Sequence, residues 1–246
     1  MKLTVLDSGS RANGYVLQNE EEALIIECGC SLQSCLEVLD YRSGKVAGCL
    51  VSHSHGDHCK YVKSYLERFK VFCSEGTAEE ASIIGGVGLI IVAPMRKFSA
   101  GGFEILPFET QHDAKEPLGF LIRHDGLGTL LFATDTYYLK YKFDDLNHIL
   151  IECNYDECIL SENIANGEVP RFVLERVRRS HMSLDTLKDT LRANDLSGVV
   201  DIVLLHISRD NGDMVRFREE IERTFGIRTF IASKGLEIEL YKDKLI

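Results

Sequence analysis

The sequence contains no run of 18 apolar residues, no C-x-x-C pair and no surplus of basic side chains. The first absence leaves no segment that spans a bilayer as a helix. The second removes the usual zinc-ribbon and dithiol motifs. The eight cysteines, at 28, 30, 35, 49, 59, 73, 153 and 158, stand mostly inside apolar runs, a pattern of reduced, buried thiols rather than a disulfide framework. The third, a formal net charge of −10, argues against a protein that coats nucleic acid through a broad basic surface. It leaves room for a nuclease, because bound dications change the local field and a few placed cations can guide a phosphate. Linkers, low-complexity tracts and clear repeats are missing too, so the 246 residues are read as one domain, 1–246, able to bury a substantial core. The opening Met1-Lys2-Leu3-Thr4-Val5-Leu6-Asp7 meets an acid too soon for a signal peptide, and the reading is cytoplasmic, with no membrane partner.

What is present is concentrated. Residues 53 to 58 read His53-Ser54-His55-Gly56-Asp57-His58, three imidazoles and a carboxylate in six positions, just after the apolar run from Val46 to Val51. Imidazole nitrogen and carboxylate oxygen suit zinc and its first-row neighbours. A chain leaving a strand places His53 and His55 on one side, while Asp57 and His58 turn with the loop toward another point, so two metals fit better than one. The competing reading is an accidental His-rich loop or a structural zinc, although structural sites are usually closed and Cys-rich. Cys28 and Cys30 form a C-x-C that could also bind metal, and Cys59 directly follows His58.

A dinuclear site needs further ligands at strand ends, and the chain supplies three. His112 follows the apolar run 103–108, Asp135 follows Leu130-Leu131-Phe132-Ala133-Thr134, and His206 follows Ile202 to Leu205. Taken singly, His112 or His206 could be a hydrogen-bonded core histidine and Asp135 a cap. His124 and His148 match no motif and are read as structural or surface residues.

Alternation and turn residues predict an opening β-meander with strands at 3–6, 15–17 and 24–26. A helix begins at Ser31, whose hydroxyl can cap the apolar positions Leu32, Cys35, Leu36 and Leu39. Helices are expected at 57–68 and 75–84, with a short strand at 71–72 between them. Strands follow at 88–92, 103–108, 118–122, 129–132 and 148–151, then a mainly helical third broken by 202–205, and terminal strands at 229–232 and 236–241. That order predicts two sheets packed face to face with helices outside.

His-x-His-x-Asp-His resembles the defining motif of the metallo-β-lactamase fold. Further segments resemble the YycJ-like (WalJ) group of bacterial metal-dependent exonucleases within it. They are Ser8-Gly9-Ser10 with Asn13-Gly14, His112-Asp113-Ala114 with Pro117-Leu118-Gly119-Phe120, and Ala133-Thr134-Asp135-Thr136. Glu152-Cys153-Asn154-Tyr155-Asp156, Ser180-His181-Met182-Ser183, and Leu205-His206-Ile207-Ser208 with Asn211 complete the set. Together they span residues 8 to 211. The resemblance implies an α/β fold, the four-layer αβ/βα sandwich of two mixed sheets flanked by helices. It implies that His53, His55 and His112 hold one divalent ion, that Asp57, His58 and His206 hold the other, and that Asp135 bridges them; zinc is the first expectation and manganese the second. His181 would face the scissile phosphate, the competing reading being simple packing at a helix start. The chain departs from the group where Glu27 replaces the usual aspartate before Cys28-Gly29, and where Tyr61 and Tyr137 replace glycines. Glu27 would orient a ligand imidazole from behind, and the tyrosines would narrow the substrate channel.

The mechanism these residues suggest is in-line attack on phosphorus by a hydroxide shared between the ions. Asp57 would orient it and His181 would donate a proton to the leaving oxygen. Ser10, Asn13 and Gly14 could hold a terminal phosphate, against the alternative of plain hairpin chemistry, and Asn154 could face the pocket. Arg171, Arg176, Arg178, Arg179, Lys60 and Lys63 could guide a phosphate or form solvated faces. The resemblance implies DNA or RNA as the substrate, degraded by a 5′-to-3′ exonuclease. The alternative is a hydrolase of a small cyclic phosphodiester or thioester, and a third reading is a non-enzymatic metal-binding partner protein.

Overall fold

Strand side chains point to opposite faces in turn, and this alternation divides the apolar residues among three cores. The computed structural model describes residues 1–83, 85–168 and 170–242. The expected meander is formed by β1 (Lys2–Asp7), β2 (Gly14–Gln18) and β3 (Ala23–Ile26), paired antiparallel. Helix α1 (Leu32–Val38) follows, capped by Ser31, whose side chain accepts from the Ser34 N–H. Strands β4 (Val46–Leu50), β5 (Val71–Cys73) and β6 (Leu89–Ile91) then join β3 in parallel.

The second half repeats the scheme. Strands β7 (Phe98–Ala100), β8 (Phe103–Glu109), β9 (Leu118–His124) and β10 (Gly128–Ala133) pair antiparallel in succession. Strands β11 (His148–Glu152), β12 (Asp201–Leu205) and β13 (Arg228–Ile231) extend the sheet in parallel. The last strand, β14 (Glu237–Glu239), returns to pair with β1. The result is two seven-stranded mixed sheets, ordered β14-β1-β2-β3-β4-β5-β6 and β13-β12-β11-β10-β9-β8-β7.

Leu24 and Ile26 of β3, Leu130 and Phe132 of β10, and Val203 and Leu205 of β12 pack between the sheets. Their neighbours point outward. Ile202 and Leu204 meet α7 (Leu184–Ala193) and α8 (Met214–Phe225) through Leu187, Leu191, Phe217 and Ile221. On the other side Ala23 and Ile25 meet a cluster that includes Leu36 and Tyr65. Each fully buried Leu, Ile or Phe contributes about 1.5–3 kcal/mol, and the double set of faces gives the expected αβ/βα layering. All eight cysteines are free and seven are buried. Among the described residues no helix is long and apolar enough to cross a membrane.

The expected helix 57–68 is instead two short ones, α2 (Gly56–Cys59) and α3 (Val62–Leu66). The break has a cause: the Tyr61 N–H donates to the Cys28 carbonyl, tying the chain to the end of β3. The helix expected at 75–84 is α4 (Glu75–Glu80). Ser82 turns into the left-handed region at φ 52°, and the expected end at residue 84 lies outside the described residues. Helices α5 (Glu157–Ala165) and α6 (Arg171–Ser180) connect β11 to the segment that bears His181. Because β3, β4, β10, β11 and β12 run parallel within their sheets, their C-terminal ends open onto shared edges, where ligands bind in sheets of this kind.

Candidate metal centre

The apolar run of β4 ends at Val51, and the chain then carries His53, His55, Asp57 and His58 into α2. Gly29, after β3, permits this path: an added Cβ would overlap the Asp57 carbonyl oxygen. From the second sheet His112 follows β8, Asp135 follows β10 and His206 follows β12. Glu27, Asp135 and His206 all adopt left-handed backbone, at φ 70°, 44° and 51°. Such strain in non-glycine residues collects at functional sites.

The fold brings the seven expected ligand residues together in two groups. In each, the ligand atoms lie within 4.8 Å of one another: His53, His55 and His112 in the first, Asp57, His58, Asp135 and His206 in the second. His112 Nε2 is 3.1 Å from His55 Nδ1. Asp57 Oδ2 is 3.2 Å from His58 Nε2 and 3.3 Å from His206 Nε2. Asp135 faces both groups with different oxygens. Its Oδ2 lies 3.6 Å from His112 Nε2 and 3.9 Å from His53 Nε2, while its Oδ1 lies 3.5 Å from His58 Nε2 and 3.6 Å from His206 Nδ1. His53 Nε2 is buried without a hydrogen-bond partner, although its Nδ1 is 2.8 Å from Ser52 Oγ. An orphaned imidazole nitrogen aimed at two other imidazoles and a carboxylate fits a cation. The arrangement could therefore hold divalent ions.

The electrostatics agree. Burial and the neighbouring imidazole of His58 push His53 well below its ordinary value. Burial opposes the charge on His58, yet Asp135 and Glu27 hold it well above the usual range. His206 is likewise raised to about 10, Asp135, Asp57 and Glu152 outweighing burial. Burial disfavours the Asp135 carboxylate, but His206, His58 and His53 keep it well below the usual carboxylate range. Asp57 is also held down, by His206 and His58 against burial. Without metal the carboxylates of Asp57 and Asp135 thus face the raised imidazoles of His58 and His206, while His53 and His112 are pushed toward the neutral form, the state that ions would replace.

His181 sits at the junction. Its ring stacks on His206 at 5.4 Å and tilts against His112 at 5.3 Å. Its Nδ1 is 2.7 Å from Glu152 Oε1. Burial opposes protonation of His181, but Glu152 raises its pKa. Glu152 is fully buried; its Oε2 accepts from the N–H groups of Thr136 and Met182 at 2.9 and 3.1 Å, and its Oε1 lies 3.3 Å from His206 Nδ1. The sequence reading assigned Glu152 no role. The available signal was its place at a strand end, two residues before Asn154. Asn154 Nδ2 donates to the His206 carbonyl at 2.7 Å and lies 3.2 Å from its Nδ1, so it orients that imidazole.

The remaining candidates fall around this frame. Glu27 is fully buried, with Oε1 3.5 Å from His58 Nδ1. Asn13, expected on the substrate, is fully buried instead, its Nδ2 3.2 Å from Asp57 Oδ2 and 3.0 Å from His58 Nε2. Ser10 is exposed and lines a cleft beside the second group. Tyr61 does not stand alone in a channel: its ring packs on the outer core of the first sheet. Tyr137 is 40% exposed, its N–H bonded to Gln111 beside His112, which puts it at the rim. His124 pairs with Glu22 at 2.9 Å, and His148 with Asp201 at 3.3 Å, at the start of β11 and β12. Cys28 and Cys30 are held as thiols by burial, Cys30 at about 12, and belong to neither group. The Cys59 thiol donates to the Ser54 carbonyl at 2.7 Å. Three of the arginines are already neutralised: Arg176 by Asp113 (3.6 Å), Arg178 by Glu157 (2.6 Å) and Arg179 by Glu175 (3.8 Å).

A family profile described as the beta-lactamase superfamily domain matches residues 24–207, from β3 through the last ligand-bearing strand end. The chain belongs to the beta-lactamase superfamily. Among curated superfamily relatives it is similar to the exodeoxyribonuclease YycJ of Bacillus anthracis, 24% identical over 253 residues that cover 97% of this chain and 94% of that one. Among solved structures it resembles the metallo-beta-lactamase fold protein YhfI of Bacillus subtilis, with TM-score 0.71, 17% identity and coverage of 96% and 98%. It also resembles Zn(2+)-bound PqqB of Methylobacterium extorquens, with TM-score 0.71, 14% identity and coverage of 98% and 100%. The superfamily matches agree with the two-sheet architecture described above.

Proposed function

We propose that this chain is a dinuclear metal-dependent phosphodiesterase acting on nucleic acid, an exonuclease of 5′-to-3′ polarity in the cytoplasm. The observation that carries the reading is the position of His181, held by the buried Glu152 where the two ligand groups meet. A fixed imidazole there can donate a proton to an oxygen leaving phosphorus. The name of the Bacillus anthracis relative supports the nuclease class, and the free thiols suit a reducing compartment.

His53, His55 and His112 would hold one ion, Asp57, His58 and His206 the other, and Asp135 would serve both. Zinc is favoured by three imidazoles in the first group and by the zinc-bound relative, and manganese is the second choice. Two such ions would neutralise charge on the phosphate and activate water at neutral pH. The chain's own part is positional. Asp57, fixed by Asn13, His58 and His206, orients the nucleophile; Glu152 fixes the His181 ring and favours its protonated form; Glu27 and Asn154 hold His58 and His206 from behind.

A small phosphodiester is the second reading, favoured by the acidic balance and by the neutralised arginines of α6. Hydrolysis of 5′-labelled single- and double-stranded DNA and RNA, compared with a small diester, separates the two. Protein loaded with zinc or manganese should release products stepwise from the labelled end, and Asp135→Ala should abolish this. Cleavage of the small ester alone would overturn the nuclease reading.

A further inference from the structure

Three cations without an ion-pair partner among the described residues lie together beside the centre. Ser8, Ser10, Arg11, Arg209, Ser233 and Lys234 line a cleft of about 230 Å³. Its walls are the turn between β1 and β2, the segment after His206 and the turn before β14. Arg11, Arg209 and Lys234 are exposed and form no ion pair among the described residues. In a chain of net charge −10, three uncommitted cations on one small cleft are an uneven distribution. Asp7 is the one carboxylate on the lining, and it accepts the Ser8 N–H at 3.0 Å. The N–H groups of Ser10 and Arg11 donate to no protein acceptor among the described residues. Successive free N–H groups in a turn form anion-binding concavities.

The cleft is wired to the second ligand group. Ser8 Oγ accepts the His206 N–H at 3.1 Å. Asn13 clasps Gly9 through two hydrogen bonds, of 2.9 and 3.1 Å, and the same amide reaches Asp57 Oδ2. The opposite side of the centre is different. There Glu109, Gln111, Glu116 and Lys140 line another cleft, and Lys140 is paired with Glu109 at 3.5 Å. A polyanion reaching the centre therefore meets three uncommitted cations on the side of the second group and a weakly acidic lining on the other.

Resting on the nuclease reading above, we infer that this cleft anchors a phosphate of the substrate strand next to the scissile one. Its volume lies below the ~300 Å³ of pockets that take drug-sized ligands, which suits a phosphate with part of its sugar rather than an everted base. The phosphate is either a terminal monoester or an internal diester. The chemistry of recognition is the same, three cations with hydroxyl and N–H donors, and the experiment separates the two sources.

The test uses metal-loaded full-length protein and the variant Arg11→Gln/Arg209→Gln/Lys234→Gln, all exposed positions, with thermal melting to confirm the fold. Substrates are oligonucleotides with a 5′-phosphate or a 5′-hydroxyl, and bis(4-nitrophenyl) phosphate, which is too small to reach both sites. The variant should raise KM for the oligonucleotide about tenfold or more. It should flatten the dependence of log KM on log[salt] by about 0.7, the loss of one neutralised single-strand phosphate, and leave cleavage of the small ester unchanged. A KM effect confined to the 5′-phosphorylated strand identifies a terminal phosphate; an equal effect on both strands identifies an internal one. Unchanged KM and salt dependence would overturn the inference. If the wild type degrades no oligonucleotide, the nuclease reading fails separately, and inorganic phosphate then serves as the probe. Competitive inhibition of small-ester cleavage that is lost in the variant would retain the anion site, and inhibition equal in both proteins would remove it.

Discussion

A single carboxyl group, that of Glu152, holds both His181 and His206, and this sharing sets apart the expected behaviour of two substitutions. His181 meets the ligand set through Glu152 and ring contacts, with a ring nitrogen also within 4.8 Å of ligand atoms of Asp135 and His206. His181→Ala should therefore lower kcat about 10² to 10⁴-fold, while metal titration shows unchanged stoichiometry and affinity. Glu152→Gln keeps the volume but removes the charge that raises His181 and leans on His206. It should lower kcat and also weaken metal binding about 10 to 100-fold, as loss of a partner behind a ligand does. Wild-type turnover in His181→Ala would remove it as the proton donor. Glu27→Asp tests the departure at this position. One methylene fewer should draw the carboxylate away from His58 Nδ1, with a loss of about tenfold in metal affinity; equal affinity would show that a shorter carboxylate reaches the same place. The candidate ligands were legible because histidines packed behind an apolar run have few other uses. Glu152 was not, because its meaning depends on His181, 29 residues on, and on N–H donors of Thr136 and Met182 that only the folded chain brings near.

Elements with strong periodicity were readable, and those shaped by distant contacts were not. The buried strands β10, β11 and β12 differ from expectation by a residue or so at their ends, and the Ser31 cap forms as expected. The helix expected at 57–68 breaks because a backbone bond from Tyr61 to Cys28 overrides local propensity. Strand β7, only three residues long, has too little pattern to be seen and exists because β8 pairs with it. The first residues of β11, β12 and β13 form another feature that sequence leaves dark. Asp201 lies between His148, at 3.3 Å, and Arg228, at 2.6 Å. Burial disfavours its carboxylate, but the nearby His148 imidazole and the hydrogen bond from Arg228 hold its pKa below the usual value. A depressed carboxylate contributes stability above its unfolded pKa, about 3.9, and loses it as pH falls through the lower folded value. Asp201→Asn should therefore cost about 1.5–3 kcal/mol at pH 7, with a smaller difference from wild type below pH 4. Urea unfolding at both pH values measures this, and a pH-independent difference would rule out the charge as the cause.

At the scale of the whole molecule, two halves with the same order of antiparallel and parallel strands face each other without a recognisable sequence repeat. Shared strand patterning needs only alternating apolar residues, which many sequences supply. Each ligand group draws on both halves: His53 and His55 with His112, and Asp57 and His58 with His206. Ions bound there would tie one sheet to the other, so their removal should act on global stability rather than on a loop. At free metal about 100-fold above Kd the linkage is about 2.7 kcal/mol for each ion and about 5.4 kcal/mol for two. For a chain of this size that is about 10–20 °C in Tm, measurable by calorimetry before and after chelation. His53→Ala should show a smaller shift, since it removes a ligand from one group. The pH dependence follows from the raised values of His58 and His206. The metal-free protein holds those protons at neutral pH and metal must displace them, so acid stabilises the metal-free side. The gain in Tm on adding metal should then shrink from pH 8 to pH 6, with proton release detectable in buffers of different ionisation enthalpy. A Tm indifferent to chelation at both pH values would mean that the acids and imidazoles balance one another without ions, and the dinuclear reading would fail with it.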